Sequence, residues 1–377
     1  NSKMGITMDT AFENPEFLTS QIITYIGNKR TLIYDIESQI KEIKSVLKKE
    51  KLVCADLFSG SGIVSRMLKS HSSRLIVNDL ENYSFIINSC YLTNKEDFSR
   101  EKYADFRKKI LSEAEKTPQE GIISQNYAPK DDRNIQKDER AFYTRQNALL
   151  IDTYRALIED IADEKYRRFF LAPLITEASV HVNTSGVFKG FYKDSTTGIG
   201  CFGGKGKNAL SRIEGIIQLK EPVFSNFSCQ CEIHQEDTIL LAEKLSGIDM
   251  TYLDPPYNQH PYGSNYFMLN LIAKNKIDAE TSRVSGIPNN WNRSLFNKKA
   301  AALSSLEKII QTIDSKFIII SYNSEGFISF DEMERMLESY GPLKTVEIKY
   351  NTFRGSRNLK NRSIHVSEYL FILEKQR

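Results

Sequence analysis

Leu52-Val53-Cys54-Ala55-Asp56-Leu57-Phe58-Ser59-Gly60-Ser61-Gly62 is the stretch that decides the fold. Its apolar start reads as a β-strand with an acid, Asp56, at the end. Ile63, Val64, Met67 and Leu68 then recur at helical spacing. Two close glycines between strand and helix let the backbone approach a ligand at the helix N-terminus. A dinucleotide fingerprint would continue to a third Gly or Ala where Ser65 stands, so a nicotinamide site fits poorly.

Working outward, the same grammar repeats. Arg74-Leu75-Ile76-Val77-Asn78-Asp79 is a second strand ending in an acid, about twenty residues on, as suits a carboxylate that binds ribose hydroxyls. Asn78 or Asp79 also suits the cap of a helix beginning near Glu81. Cys229 to His234 reads as a third strand, followed by Asp237 and a short helix from Thr238. Ile248 to Leu253 is a fourth that runs into Asp254, and Lys316 to Ser321 a fifth. In an open parallel sheet, Asp56, Asp79, Asp237 and Asp254 all fall at the carboxyl rim where ligands bind. The chain ends with two strands, Lys344 to Tyr350 and Val366 to Leu373, read as an antiparallel hairpin whose loop carries Arg354, Arg357, Lys360 and Arg362.

The fourth strand ends in Asp254-Pro255-Pro256-Tyr257. These residue types suit methyl transfer to an exocyclic amine on a flat ring such as adenine. The amine lone pair is spread into the ring and must be localised. Asp254 accepts one N–H; Pro256 removes a backbone donor and leaves the Pro255 carbonyl as the second acceptor; Tyr257 stacks on the base. This is positioning and fixed electrostatics rather than general-base catalysis. The plain alternative is a strand stopped by Pro-Pro, with Asp254 a solvated turn residue.

Near the start, Tyr25-Ile26-Gly27-Asn28-Lys29-Arg30 precedes a helical pattern through Leu47. Cations at a helix start oppose its dipole, so an anionic ligand is expected to offset Lys29; a basic surface turn is the alternative. From about Asn94 the pattern changes. Ala114 to Asp138 reads as loop, and two helices follow with aromatic stripes, the second bent or restarted at Pro173. Lys189 and Lys193 then interleave with aromatics, and Lys205 and Lys207 lie in a glycine-rich run, as suits phosphate-backbone contact or merely a flexible loop. Asn275 to Lys298 is a long loop that either closes over the site or stays a mobile surface segment.

With 377 residues, the chain exceeds the usual single-domain size. A net charge of +3 and mean hydropathy of −0.41, with only short apolar runs, predict a soluble cytoplasmic protein without a membrane span. Irregularly spaced cysteines suit neither a disulfide framework nor a zinc site, and no metal is expected. Asn1 to Thr10 lack periodicity, and Met4 and Met8 are candidate starts.

In order, Tyr25 to Lys29, Asp56 to Gly62 and Asp254 to Tyr257, with an insertion between the last two, the motifs resemble the Dam-like group of bacterial DNA adenine methyltransferases. Phe142-Tyr143-Thr144 through Asn183 to Val187, and Tyr262 to Leu269, resemble its restriction-modification branch. The likeness implies a Rossmann-like α/β sheet with helices on both faces, residues 20–94 and 228–377 forming the catalytic domain and 95–227 an inserted, mainly helical target-recognition domain. It implies S-adenosylmethionine held by Tyr25, Lys29 (on the methionine carboxylate), Asp56, Phe58, Gly60, Gly62, Asp79 (ribose) and Asp237 (adenine). It further implies double-stranded DNA as substrate, base flipping, work at the bacterial nucleoid and a cognate restriction endonuclease as partner. The sequence departs from the group at His260, where it or a neighbour is often arginine, and at Phe267, often histidine. Other readings are an amino methyltransferase for cytosine, RNA or protein glutamine, or a silent DNA-binding partner subunit.

Overall fold

The computed structural model describes residues 12–25, 29–351 and 365–376. Seven strands form one sheet: β1 Leu52–Asp56, β2 Ser72–Asn78, β3 Gln230–His234, β4 Ile248–Leu253, β5 Ser315–Asn323, β6 Leu343–Asn351 and β7 His365–Glu374. Their order is β3-β2-β1-β4-β5-β7-β6; the first five are parallel, and β7 runs antiparallel between β5 and β6. This is the Rossmann-like α/β sheet that the sequence predicts, extended at one edge by the terminal hairpin.

Alternation along the central strands divides the core in two, because successive side chains point to opposite faces. Ala55, Ile76, Leu253 and Ile320 face helices Lys299–Thr312 and Phe330–Glu338. Cys54, Leu75, Met250 and Ile319 face helices Ile33–Leu47 and Ile63–Lys69. The chain leaves β1 toward β2 and β3, and later returns to β4 on β1's other side. The crevice between β1 and β4 is therefore the topological switch point, where open α/β sheets bind ligands.

A third core joins the inserted helices to the sheet region. Helices Arg145–Glu159 and Glu164–Val180 bury Ile151, Phe169, Phe170 and Ile175 together with Ile87 of helix Asn82–Tyr91 and Leu269 of helix Phe267–Lys274. Pro173 sits inside an unbroken helix rather than restarting one. The segment read as loop from Ala114 to Asp138 contains the end of a 17-residue helix, Arg100–Lys116, and a short helix, Ile122–Asn126. The cap of that short helix is remote in sequence: the Asp152 carboxylate accepts from the backbone N–H of Ile123 (3.1 Å) and Ser124 (2.7 Å), satisfying donors that no local residue serves. No helix among the described residues is long and apolar enough to cross a membrane.

Candidate active site

The turn after β1 fixes the site's floor. Gly60 (φ +50°) and Gly62 (φ +81°) take left-handed backbone, and a Cβ on Gly62 would lie 2.2 Å from Asn88 Oδ1. Asp79, just beyond β2, ties this turn to the next: Oδ2 accepts from Gly60 N–H (2.8 Å) and Oδ1 from Glu81 N–H (2.9 Å). Asp79 thus orders the backbone while lining the cavity. Asp237 caps the helix after β3, accepting from Ile239 N–H at 2.9 Å, and lines the opposite wall. Asp56 is buried; Oδ2 accepts from Ser65 Oγ–H (2.6 Å), and Oδ1 has no hydrogen-bond partner.

These residues surround one cavity at the switch point, together with Phe58, Tyr25, Lys29, Asp254, Pro256 and Tyr262. Seven of the eight residues expected to hold a cofactor line it; the eighth, Gly62, does not line it but caps the start of helix Ile63–Lys69. Tyr25 stacks on both Tyr262 (centroids 4.9 Å apart) and Tyr266 (4.6 Å), which also stack on each other (6.1 Å), and its hydroxyl is 3.0 Å from that of Tyr83. Residues 26–28, including the Gly27 turn, lie outside the described residues.

A second cavity, lined by Val187, Lys189, Tyr257, Asn258, His260 and Asn265, meets the first at Pro256 and Tyr262. Asp254 and Tyr257 therefore belong to adjoining chambers, with Pro256 at the partition and Pro255 buried beside it. Lys189 reaches the second chamber, 3.3 Å from His260 Nδ1. Lys193, Lys205 and Lys207 are exposed on the following turns and line neither chamber. Arg354, Arg357, Lys360 and Arg362 lie outside the described residues.

Electrostatics mark the first chamber. Among the described residues, its wall carries Asp56, Asp79, Glu81, Asp237 and Asp254 against one cation, Lys29. Burial pushes Asp56 up to about 7, Asp79 to about 6 and Glu81 to about 7, since a charged carboxylate is disfavoured away from water. Burial likewise raises Asp254 to about 7; Lys29 opposes the rise and Glu368 adds to it. The Lys29 ammonium is hydrogen-bonded to Glu368 (2.6 Å) and ion-paired with Asp254 (3.2 Å). Burial pulls its pKa down, but those two carboxylates outweigh it and hold it above the ordinary lysine value. The counter-anion that the sequence leads one to seek in a ligand is supplied by the chain itself.

Glu81 and Glu368 escape the sequence reading as site residues, and the Asn275 to Lys298 loop takes the first of the two places that reading left open. Glu81 appears there only as a helix start, although it accepts from Asn270 Nδ2 (2.7 Å) and faces the cavity. Asn292, Ser294, Leu295 and Asn297 form the outer wall, so the Asn275 to Lys298 loop does cover the chamber. Glu368 lies 339 residues from Lys29, beyond any local pattern.

The family model for D12 class N6 adenine-specific DNA methyltransferases matches residues 25–336, an interval that runs from the stacked Tyr25 past β5. The chain belongs to that family. As a D12 methyltransferase it is also similar along its length to individual enzymes. Type II methyltransferase M.NlaIII of Neisseria lactamica is 30% identical over 94% of this chain and 99% of that protein. Type II methyltransferase M.CviAII of Paramecium bursaria Chlorella virus 1 is 29% identical over 93% and 98%. Type II methyltransferase M.FokI of Planomicrobium okeanokoites is 27% identical over 93% of this chain and 52% of that longer protein. The D12 methyltransferase is thus an adenine-specific DNA methylating enzyme.

Proposed function

We propose that the first chamber binds S-adenosylmethionine and the second receives an adenine flipped from double-stranded DNA, with Asp254 holding the amine where the chambers meet. The observation that carries this reading is the shared wall at Pro256 and Tyr262, beside Asp254 and Tyr257. The charge of the first chamber fits the cofactor: among the described residues, five carboxylates against one lysine, one of the carboxylates with an orphaned buried oxygen, suit a ligand of net positive charge. Tyr25, Phe58 and the Gly60 to Gly62 turn would cradle it, with Asp79 or Glu81 at the ribose and Asp237 toward the adenine. The third N–H of Lys29 remains for the methionine carboxylate. Bound there, S-adenosylmethionine supplies an electrophilic methyl group.

Asp254 then accepts one amine N–H and the Pro255 carbonyl the other, which localises the nitrogen lone pair. Tyr257 stacks on the base, at the opening cost of unstacking it from the duplex. Lys189 sits at the rim of the base chamber, where a flanking phosphate would pass.

Gly62→Ala tests the cofactor chamber. The left-handed φ and the approach to Asn88 each oppose a Cβ, so S-adenosylmethionine binding measured by calorimetry should weaken about tenfold or more. Wild-type affinity in a normally folded variant would remove the turn from the cofactor site.

Residues 95–227, with the hairpin, are in this reading the DNA-binding portion. Arg357→Ala with Lys360→Ala should weaken DNA binding across sequences and reduce the salt slope by roughly one to two units. An unchanged slope would take both residues out of the footprint. The resemblance of the whole chain to Type II methyltransferases supports a role as the modification half of a restriction-modification system, acting at the bacterial nucleoid with a cognate endonuclease as partner.

A further inference from the structure

Glu368 is placed by β7, from the far end of the chain, against the central reacting carboxylate. It is buried, and one oxygen, Oε1, accepts from both Lys29 Nζ (2.6 Å) and Ser321 Oγ (2.8 Å); Oε2 accepts from Asn323 Nδ2 at 3.3 Å. Ser321 and Asn323 belong to β5, which pairs Asn323 directly with Glu368. Three donors from two elements therefore hold one carboxylate, and it is the nearer of the two anions on Lys29. Asp254 stands at 3.2 Å from the same ammonium, with 22% of its side chain still accessible from the cavity.

We propose that Glu368 is a positioning residue for methyl transfer, drawing Lys29 toward β7 so that Asp254 keeps a basic, unengaged oxygen for the adenine amine. This rests on the reading of Asp254 as the amine acceptor. The physical argument is a competition. One ammonium between two carboxylates leaves the trio with a net negative charge, and the carboxylate gripped less tightly stays the stronger acceptor for a new donor. If Glu368 were neutral, Lys29 would settle fully on Asp254. Asp254 would then ionise more easily yet present its charge to lysine instead of substrate.

The charged and titratable groups around Asp254 are consistent with that direction. Lys29 enters ahead of the Arg30–Leu32 turn, Asp56 from β1, Tyr252 from β4, Tyr257 and Tyr262 from the segment after β4, and Glu368 from β7. Among these, Lys29 and Glu368 are the charged groups that act most on Asp254, in opposite senses, beneath the larger effect of burial. Removing Glu368's charge therefore lowers the pH at which Asp254 ionises.

The test is the pH dependence of methyl transfer to unmethylated bacterial genomic DNA by the full chain, for wild type, Glu368→Gln, Glu368→Asp and Asp254→Asn. In Glu368→Gln the acid limb of kcat/KM should move down by about half a unit or more while plateau kcat falls about tenfold. A variant that tolerates acid better yet turns over more slowly is not what loss of packing alone produces. Glu368→Asp, which withdraws the carboxylate from Lys29, should shift the limb the same way by less; it is the variant to read if Glu368→Gln does not fold. Carbon-13 titration of the Asp254 carboxyl, without DNA, should show the same downward shift in its midpoint. An unmoved acid limb and an unmoved midpoint would overturn the role of Glu368. If instead Asp254→Asn turns over as wild type, it is the assignment of Asp254 that fails.

Discussion

Asp254→Ala is expected to lower kcat about a hundred- to a thousandfold, the usual cost of deleting one fixed electrostatic partner of a transition state, while S-adenosylmethionine binding stays within about tenfold of wild type. The split follows from the geometry. Asp254 stands beside the partition with the second chamber, whereas the rest of the first chamber, from the glycine turn to Asp237, does not depend on it. Nor should the fold suffer: Lys29 retains Glu368 at 2.6 Å, leaving a buried pair of balanced charge. Single-turnover methyl transfer with calorimetric cofactor binding checks both halves. Parallel loss of binding and turnover would make Asp254 a cofactor ligand instead of the amine acceptor.

Lys29→Met is expected to do the reverse and strike at stability. Lys29 and Glu368 are 6% and 3% exposed, and removing the cation strands Glu368 and Asp254 together. Breaking a buried pair by deleting one partner costs about 3–5 kcal/mol. The sign with pH is definite. Lys29 is held above its ordinary pKa, so it stays charged at any pH from 5 to 9 and its own titration contributes nothing there. Burial already raises Asp254 to about 7 against the pull of Lys29, and losing the lysine raises it further, so at pH 8 it is stranded as an anion, and as pH falls it takes up a proton and the penalty shrinks. Urea unfolding at pH 8 should therefore show the full deficit, and unfolding near pH 5.5 a smaller one. A deficit that is constant across that range would mean that the carboxylates relax to solvent when the lysine is lost.

The contrast between these variants reflects what was legible in the sequence. Asp56, Asp79 and Asp254 could be read because each follows an apolar strand, and a parallel sheet carries such ends to one rim; register then sets Asp56 opposite Val77 and Tyr252. The glycine turn and Asp254 to Tyr257 were legible because their backbone demands restrict which residues can stand there. The partner of Lys29 was not, since only the folding of β7 against β5 brings Glu368 to it. Likewise Asp152 caps a helix 28 or more residues upstream, which hid Ile122–Asn126 within a polar stretch. Helix Arg100–Lys116 was hidden for a different reason: with Tyr103 and Ile110 its only buried side chains, the apolar stripe is too sparse to carry a helical period. Closure by the Asn275 to Lys298 loop was one of two places its sequence allowed, but Glu81 became visible as a cavity residue only once its helix was set at the switch point.

Mass analysis of nucleosides from the DNA of a methylation-deficient host, expressing either the wild-type chain or Asp254→Ala, tests most directly that this site methylates the amine of a flipped adenine. N6-methyladenine should accumulate with wild type and be lost with the variant. N4-methylcytosine in its place, or equal N6-methyladenine from both chains, would contradict it.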